Sequence, residues 1–396
     1  MSDPRKQPQV RPDSPVLADC AATWKSAYIH IPFCLRRCPY CDFAIVDESS
    51  RGRTEVDRYV ASVLAEIEME SGIGRLDAIN VGGGTPTRLP PVMLKRIVEH
   101  VIDRHDARHD IEISLEANPE DWDESMASEL VAAGFNRVSF GAQSFDESVL
   151  SALGRSHTPD DIDRAVHTAR EAGFSSVSLD LIFGHPAESD TSWELTVRRA
   201  LSLDSDHLST YALTVEPGTL LARQVQGGAT GPDDDVQADR YHRFLSLAEP
   251  EGFVRYEVSN HARAGHACRY NLSTWAHGEY LGFGMAAHDH IAGTRSRNHR
   301  RLDRYLDAVE AGIRPRLGSE VLDATDAERD ALMLGLRLAC GARMTKTAQR
   351  FWESDPGQRL ADAGLLTIAD GRLVAPRPML ADTVIREALS VSASDC

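Results

Sequence analysis

Three cysteines, Cys34, Cys38 and Cys41, stand within eight residues of one another in the stretch YIHIPFCLRRCPYCDF (Tyr28–Phe43). Cys-x3-Cys-x2-Cys offers three soft thiolates, and Asp42, Phe43 and Ala44 supply no fourth ligand of that kind. Structural zinc sites close with four ligands, commonly from paired Cys-x2-Cys units, and no second unit accompanies this one. Thiolates also hold iron–sulfur clusters, one cysteine per iron, so three of them leave one iron of a four-iron cluster open to a substrate or cofactor. Two other readings remain: buried cysteines without a ligand, or a zinc site closed by a distant residue such as Cys20 or His30. Cys20, Cys268, Cys340 and Cys396 are scattered and fit ordinary burial or exposure.

Polar residues follow at intervals that a repeating architecture would bring together. NVGGGTPT (Asn80–Thr87) has a glycine run, which lets backbone approach a ligand closely. Glu116 stands in LEANP, Gln143 in FGAQSF, Arg155 in LGRSH and Asp180 in LDLIFGHP. Each lies at the end of an apolar, β-branched run: 28–31, 76–82, 111–117, 136–141, 176–182 and 208–213 read as strands. Between them EVDRYVASVLAEIEME, PVMLKRIVEHVIDRH, DESMASELVAAG, PDDIDRAVHTAREAG and SWELTVRRALSL carry the helical period, several closing on a glycine. Six alternations of strand and helix predict an α/β fold with a parallel sheet, preferably a partial (β/α)6 barrel, whose ligand site forms at the carboxyl ends of the strands.

The motifs resemble those of radical S-adenosylmethionine (SAM) enzymes, for which the Cys-x3-Cys-x2-Cys loop followed by an aromatic residue is the hallmark. Within that superfamily YIHIPFC, GGGTPT, LEANP, RVSFGAQSF, LGRSH and DLIFGHP are similar in order and spacing to the HemN/HemW branch. That branch includes the oxygen-independent coproporphyrinogen III oxidases and the HemW-type heme chaperones. The resemblance runs over about residues 28–300 and reappears in ERDALMLGLRL. It implies a [4Fe-4S] cluster on Cys34, Cys38 and Cys41, and SAM contacts from Tyr28, Gly83, Gly84, Thr85, Glu116, Gln143, Arg155 and Asp180. The oxidases carry a further cysteine where this chain has Phe43, together with a longer N-terminal arm, so the resemblance leans to the chaperones and implies heme and recipient hemoproteins as partners. An oxidase acting on coproporphyrinogen III is the alternative. The branch's HNxxYW pattern is altered here to Tyr270-Asn271-Leu272-Ser273-Thr274-Trp275. A heme-iron ligand is therefore sought among Tyr270, His261, His266, Cys268, His288 and His290.

The remaining text sets the domain limits. Residues 1–24 are rich in proline and charge and read as a flexible tail, 25–250 as the barrel, 251–315 as a connector with a possible heme-binding role, and 316–396 as a small helical, winged-helix-like C-terminal domain. The opening lacks the apolar core of a secretory signal, and no apolar run approaches 20 residues, so a cytoplasmic protein without a spanning segment is expected, at most touching membrane hemoproteins peripherally. A formal net charge of −17 and the absence of a basic helix in the C-terminal segment argue against nucleic acid as a partner.

Overall fold

The computed structural model describes residues 24–47 and 53–393; the expected tail lies outside them except for Trp24. Six strands fall where the apolar runs predict: β1 (Ser26–Ile31), β2 (Leu76–Gly83), β3 (Ala107–Ala117), β4 (Arg137–Gln143), β5 (Ser176–Phe183) and β6 (His207–Ala212). They pair in chain order and in parallel. Helices Arg53–Met69, Pro91–Arg104, Glu124–Ala132, Pro159–Ala172 and Asp190–Ser202 return the chain between them. Their ends follow local chemistry. Pro159–Ala172, for instance, starts on a capping box between Thr158 and Asp161 and stops at Gly173, whose φ of 102° is the left-handed cap.

Alternation along the strands sorts the two faces of the sheet. Ile29, Val81, Leu115, Val138 and Leu179 point outward into one large apolar core beneath the helices. The opposite residues, among them Asn80, Ser114, Arg137, Ser139, Ser178, Asp180 and Ser209, line a concave inner face. A closed eight-stranded barrel fills its interior with branched apolar side chains. Here the interior is polar and holds a cavity of about 90 Å3.

The segment 251–315, which lacks a clear period in sequence, extends this sheet at both edges. β7 (Val254–Arg255) and β8 (Asn260–Ala262) add antiparallel to β6. The chain then crosses to the other edge through the helix Arg269–Trp275, where β9 (Tyr280–Phe283) pairs in parallel with β1 as a seventh parallel strand. Beyond it β10 (His288–Ile291), β11 (Thr294–Asn298) and β12 (Arg316–Val321) continue antiparallel, giving a sheet of twelve strands among the described residues. The expected connector is thus the two wings of the main sheet. Ser273 fixes the crossing helix to β1, its hydroxyl meeting that of Ser26 at 3.1 Å and donating to the Trp24 carbonyl at 3.0 Å.

Because Arg316–Val321 is the edge strand of this sheet, the separate C-terminal unit begins later than position 316. Its own apolar core runs from Leu332 to Ala388 and gathers the helices Ala324–Gly335, Lys346–Glu353, Asp355–Asp362 and Ala381–Ala393. The expected hairpin is Thr367–Ala369 and Arg372–Val374, joined through Asp370 and Gly371 with φ of 49° and 71°, as a tight hairpin turn demands. Ala342–Arg343 makes it three-stranded. Among the described residues no helix is long and apolar enough to cross a membrane.

Candidate functional site: a cysteine loop above a polar cavity

The cysteine loop leaves the carboxyl end of β1 and is closed at its base by a short parallel pairing of Phe33–Cys34 with Val46–Asp47. Arg37 holds its interior, donating to the carbonyls of Cys41 (3.1 Å), Phe43 (2.9 Å) and Ile45 (3.4 Å). The glycine run at the end of β2 grips the loop from below. Gly84 N donates to the Ile31 carbonyl and Thr85 N to the Phe33 carbonyl, both at 2.8 Å. A Cβ on Gly84 would lie 2.7 Å from the Pro32 carbonyl carbon, and one on Gly82 would lie 2.5 Å from Glu116 Oε1. The protein itself therefore uses the space these missing side chains leave. His30 adds a third tie: Tyr28 Oη lies 2.9 Å from its Nδ1, and its Nε2 lies 2.9 Å from the Ala44 carbonyl. A carbonyl can only accept, so Nε2 carries the proton and Nδ1 accepts from Tyr28. Burial lowers the His30 pKa to about 4, which keeps the ring neutral, and with both nitrogens engaged it is not a zinc ligand.

Two of the cysteines are joined by a polar chain that runs through the residues after β2 and β3 and through Arg155, beyond the helix Glu147–Ala152 that follows β4. Cys34 Sγ lies 3.5 Å from Thr85 Oγ1, which accepts from Asn118 Nδ2 at 3.2 Å. Asn118 Oδ1 accepts from Arg155 Nη2 at 2.5 Å, and Arg155 Nη1 donates to Cys38 Sγ at 3.6 Å. Arg155 Nη2 also donates to the Gly141 carbonyl at 3.2 Å. Thr85 and Arg155, both expected as SAM contacts, are placed beside Cys34 and Cys38 by this chain. Asn118 is not among the expected site residues, since its role lies wholly in its partners Thr85 and Arg155 on other segments.

The three thiols share one half-buried loop, and burial raises the pKa of Cys34 to about 11 and raises that of Cys41 as well. They do not converge on one point: among the described residues no group of three His, Cys, Asp or Glu side chains could hold a single ion. A four-iron cluster asks for something else, one thiolate at each of three corners. The donor set, with a guanidinium and a hydroxyl directed at its sulfurs, fits that group.

Inside the sheet, below the loop, Glu116 and Asp180 face the cavity together with Tyr211 and Tyr270. Glu116 Oε2 accepts from Gly83 N at 3.1 Å, and Asp180 Oδ1 accepts from Ser139 Oγ at 2.9 Å. Burial, then the nearby Asp180, raises the Glu116 pKa to about 7. Burial likewise raises that of Asp180. Gln143 ends β4 with φ of 61°, a left-handed conformation that costs a non-glycine residue about 1–3 kcal/mol, and its amide folds back over Gly141. Tyr28 stacks on the cavity-lining Tyr270 with ring centroids 5.8 Å apart and planes 18° from parallel. Arg137 lies at the bottom, donating to Ser176 Oγ and the His266 carbonyl, both at 2.9 Å. Of the expected SAM contacts, Gly83 hydrogen-bonds to Glu116, Thr85 is joined to Arg155 through Asn118, Gly84 ties the base of the cysteine loop, Glu116 and Asp180 line the cavity, and Tyr28 stacks on Tyr270 at its edge.

The Radical SAM superfamily matches residues 28–200. The chain is 38% identical over 371 residues to "Heme chaperone HemW" of Mycobacterium tuberculosis, covering 91% of this chain and 94% of that protein. It belongs to the HemW family of radical SAM proteins. Similar agreement, 37% over 356 residues, links it to the protein of the same name from Bacillus subtilis, covering 86% of this chain and 92% of the relative. In fold it resembles the coproporphyrinogen III oxidase HemN of Escherichia coli, with a TM-score of 0.80 at 23% identity over 94% of this chain and 92% of the other. Membership of the radical SAM superfamily implies a [4Fe-4S] cluster and SAM.

For this HemW-family chain the structure separates the candidate iron ligands by access. His261 is fully buried, edge-on to Phe244 at 4.7 Å, with its pKa lowered by burial to about 3. His290 is buried, its Nδ1 2.9 Å from the Gly278 carbonyl and its ring stacked on His277. His266 faces Ser176 and Asp206. Cys268 is buried against Glu112, and burial raises its pKa to about 12. Tyr270, in the position of the family's histidine, is inside the cavity, where burial raises its pKa and disfavours the phenolate. His288 is exposed.

Proposed function

We propose that the chain is a heme chaperone that carries a [4Fe-4S] cluster on Cys34, Cys38 and Cys41, binds SAM beneath it, and passes heme to recipient hemoproteins. The observation that carries this reading is the 38% identity to a heme chaperone over 91% of the chain. Phe43, where the resembling oxidases carry a further cysteine, supports the same side.

The residues of the site divide the work. Cys34, Cys38 and Cys41 would hold the cluster, and Arg155, charged at any physiological pH, offsets thiolate charge at Cys38. The Gly83 and Gly84 backbone, Thr85, Glu116, Gln143 and Asp180 would receive SAM, with Tyr28 and Tyr270 supplying an aromatic wall. The recipients are hemoproteins, those of the membrane being reached by peripheral contact, and the site of action is the cytoplasm.

Anaerobic reconstitution with iron and sulfide, followed by hemin titration and transfer to an apo-cytochrome, tests the reading. Heme uptake and delivery without conversion of coproporphyrinogen III is the expected result. Vigorous conversion to protoporphyrinogen would replace the reading with that of an oxidase, which the similarity of fold to HemN accommodates.

A further inference from the structure

The inner face of the sheet continues past the cavity onto the wing formed by β9 to β12. Tyr28 pairs with Gly282, His288 with Arg297, and Arg297 with Gly318. A Cβ on Gly282 would lie 1.9 Å from the His288 carbonyl, so these two are direct neighbours across β9 and β10. Residues opposite one another across a ladder share a face. The row therefore reads Tyr28, Gly282, His288, Arg297, Gly318, with adjacent strands about 4.8 Å apart. A bare glycine separates the expected SAM contact from an exposed imidazole, and a cation stands on the far side.

Among the described residues no hydrogen bond engages the His288 ring. Partial desolvation on the inner side of the exposed ring, then the charges of Arg297 and Arg300, lowers its pKa, which favours the neutral ring with a lone pair to offer a metal. Arg297 and Arg300 are exposed and, among the described residues, neither pairs with a carboxylate, in a chain whose net charge is −17. Arg300 instead donates to the Asp42 carbonyl at 3.2 Å, which joins the wing to the cysteine loop next to Phe43, 60% exposed. An apolar ring, an imidazole and two unpaired cations match a flat apolar macrocycle with a central metal and two carboxylates at one edge.

We propose that heme docks on this wing with His288 as an axial ligand to its iron and with Arg297 and Arg300 receiving its propionates. The proposal rests on the heme-chaperone reading. It puts the cargo on the open continuation of the sheet beside the SAM site, outside the barrel cavity where Tyr270 stands.

The test uses the full chain with its cluster reconstituted, titrated with hemin and followed by optical and EPR spectra. Wild type and His109→Ala, a control at a remote exposed histidine, should give the same histidine-ligated spectrum. His288→Ala should lose that spectrum and bind at least about tenfold more weakly, and added imidazole should restore the spectrum. Arg297→Glu with Arg300→Glu should weaken binding several-fold with the ligation spectrum unchanged. If His288→Ala binds with wild-type affinity and spectrum, the ligand assignment falls while the chaperone reading stands. If the wild-type chain takes up no heme, both fall.

Discussion

Arg155 reaches Cys38 with one guanidinium nitrogen, 3.6 Å from Sγ, and Asn118 with the other. The asparagine in turn touches Thr85, which lies against Cys34, so a single polar path runs from one cysteine across β2, β3 and the segment after β4 to another. The cysteine loop is thus held by segments that follow three strands as well as by its own turn, and the spacing of its sulfurs depends on how those strands are packed.

Substituting Arg155 should therefore damage the cluster site more than its distance from the loop in sequence suggests. Arg155→Ala would leave Cys38 without its cation and Asn118 without its donor. Removal of one partner from a buried charged pair costs about 3–5 kcal/mol. Arg155→Lys is not conservative here, since one ammonium cannot bridge two acceptors in fixed directions. Iron and acid-labile sulfide should fall well below the wild-type stoichiometry in both variants. Full loading of Arg155→Lys would show the fork geometry to be dispensable.

The glycines give a second prediction. In Gly84→Ala the new methyl would press on the Pro32 backbone, which cannot swing aside as a side-chain tip could. Overpacking of that kind costs about 1–3 kcal/mol and would displace the base of the cysteine loop. Gly231→Ala, whose Cβ would meet Val225 at an ordinary 3.5 Å, serves as the control. Thermal unfolding should fall and cluster yield should drop for Gly84→Ala alone; equal behaviour of the two variants would contradict the packing role.

How much of this was legible in advance depends on the range of the interactions. The six strands and five helices showed in the sequence because apolar period is a local property, and the cysteine triplet because its ligands are adjacent. Glu116 could be placed at a strand end from the barrel pattern, whereas Arg155, expected at one too, follows the short helix Glu147–Ala152 beyond β4. Asn118 could not, because its role consists of partners on other strands. The wings were hidden for a related reason: β9 pairs with β1 across some 250 residues of chain, and strands as short as four residues carry too little period to stand out. Of the six candidate iron ligands, only burial could separate His288 from the rest.

Glu116 supplies a pH dependence whose sign can be worked out. Its pKa rises from an ordinary 4.5 to about 7 on folding. Between these values the folded chain holds a proton that the unfolded chain has released, so this group's stabilisation is full below about pH 4.5 and is lost as pH rises through 7. The shift corresponds to at most about 3 kcal/mol, and water in the cavity reduces it. The cofactor-free protein should melt lower at pH 8 than at pH 5.5, and Glu116→Gln should narrow the gap. An unchanged gap would assign the dependence to other groups, such as Glu66 or Glu188, whose pKa values burial also raises to about 7.

Tyr270 offers the sharpest separation of SAM binding from heme binding. It occupies the position of the family's histidine, yet it stacks on Tyr28 within the cavity and its phenol is held protonated by burial. An aromatic pair of this kind contributes roughly 0.5–1.5 kcal/mol beyond the area it covers. Tyr270→Ala should therefore weaken SAM binding by several-fold to about tenfold, measured by calorimetry on the reconstituted protein. Tyr270→Phe, which keeps the stack and removes the hydroxyl, should bind SAM nearly as the wild type does. Both should give the wild-type heme spectrum. A change of heme ligation in Tyr270→Phe would return the iron to the barrel interior and take it away from the wing.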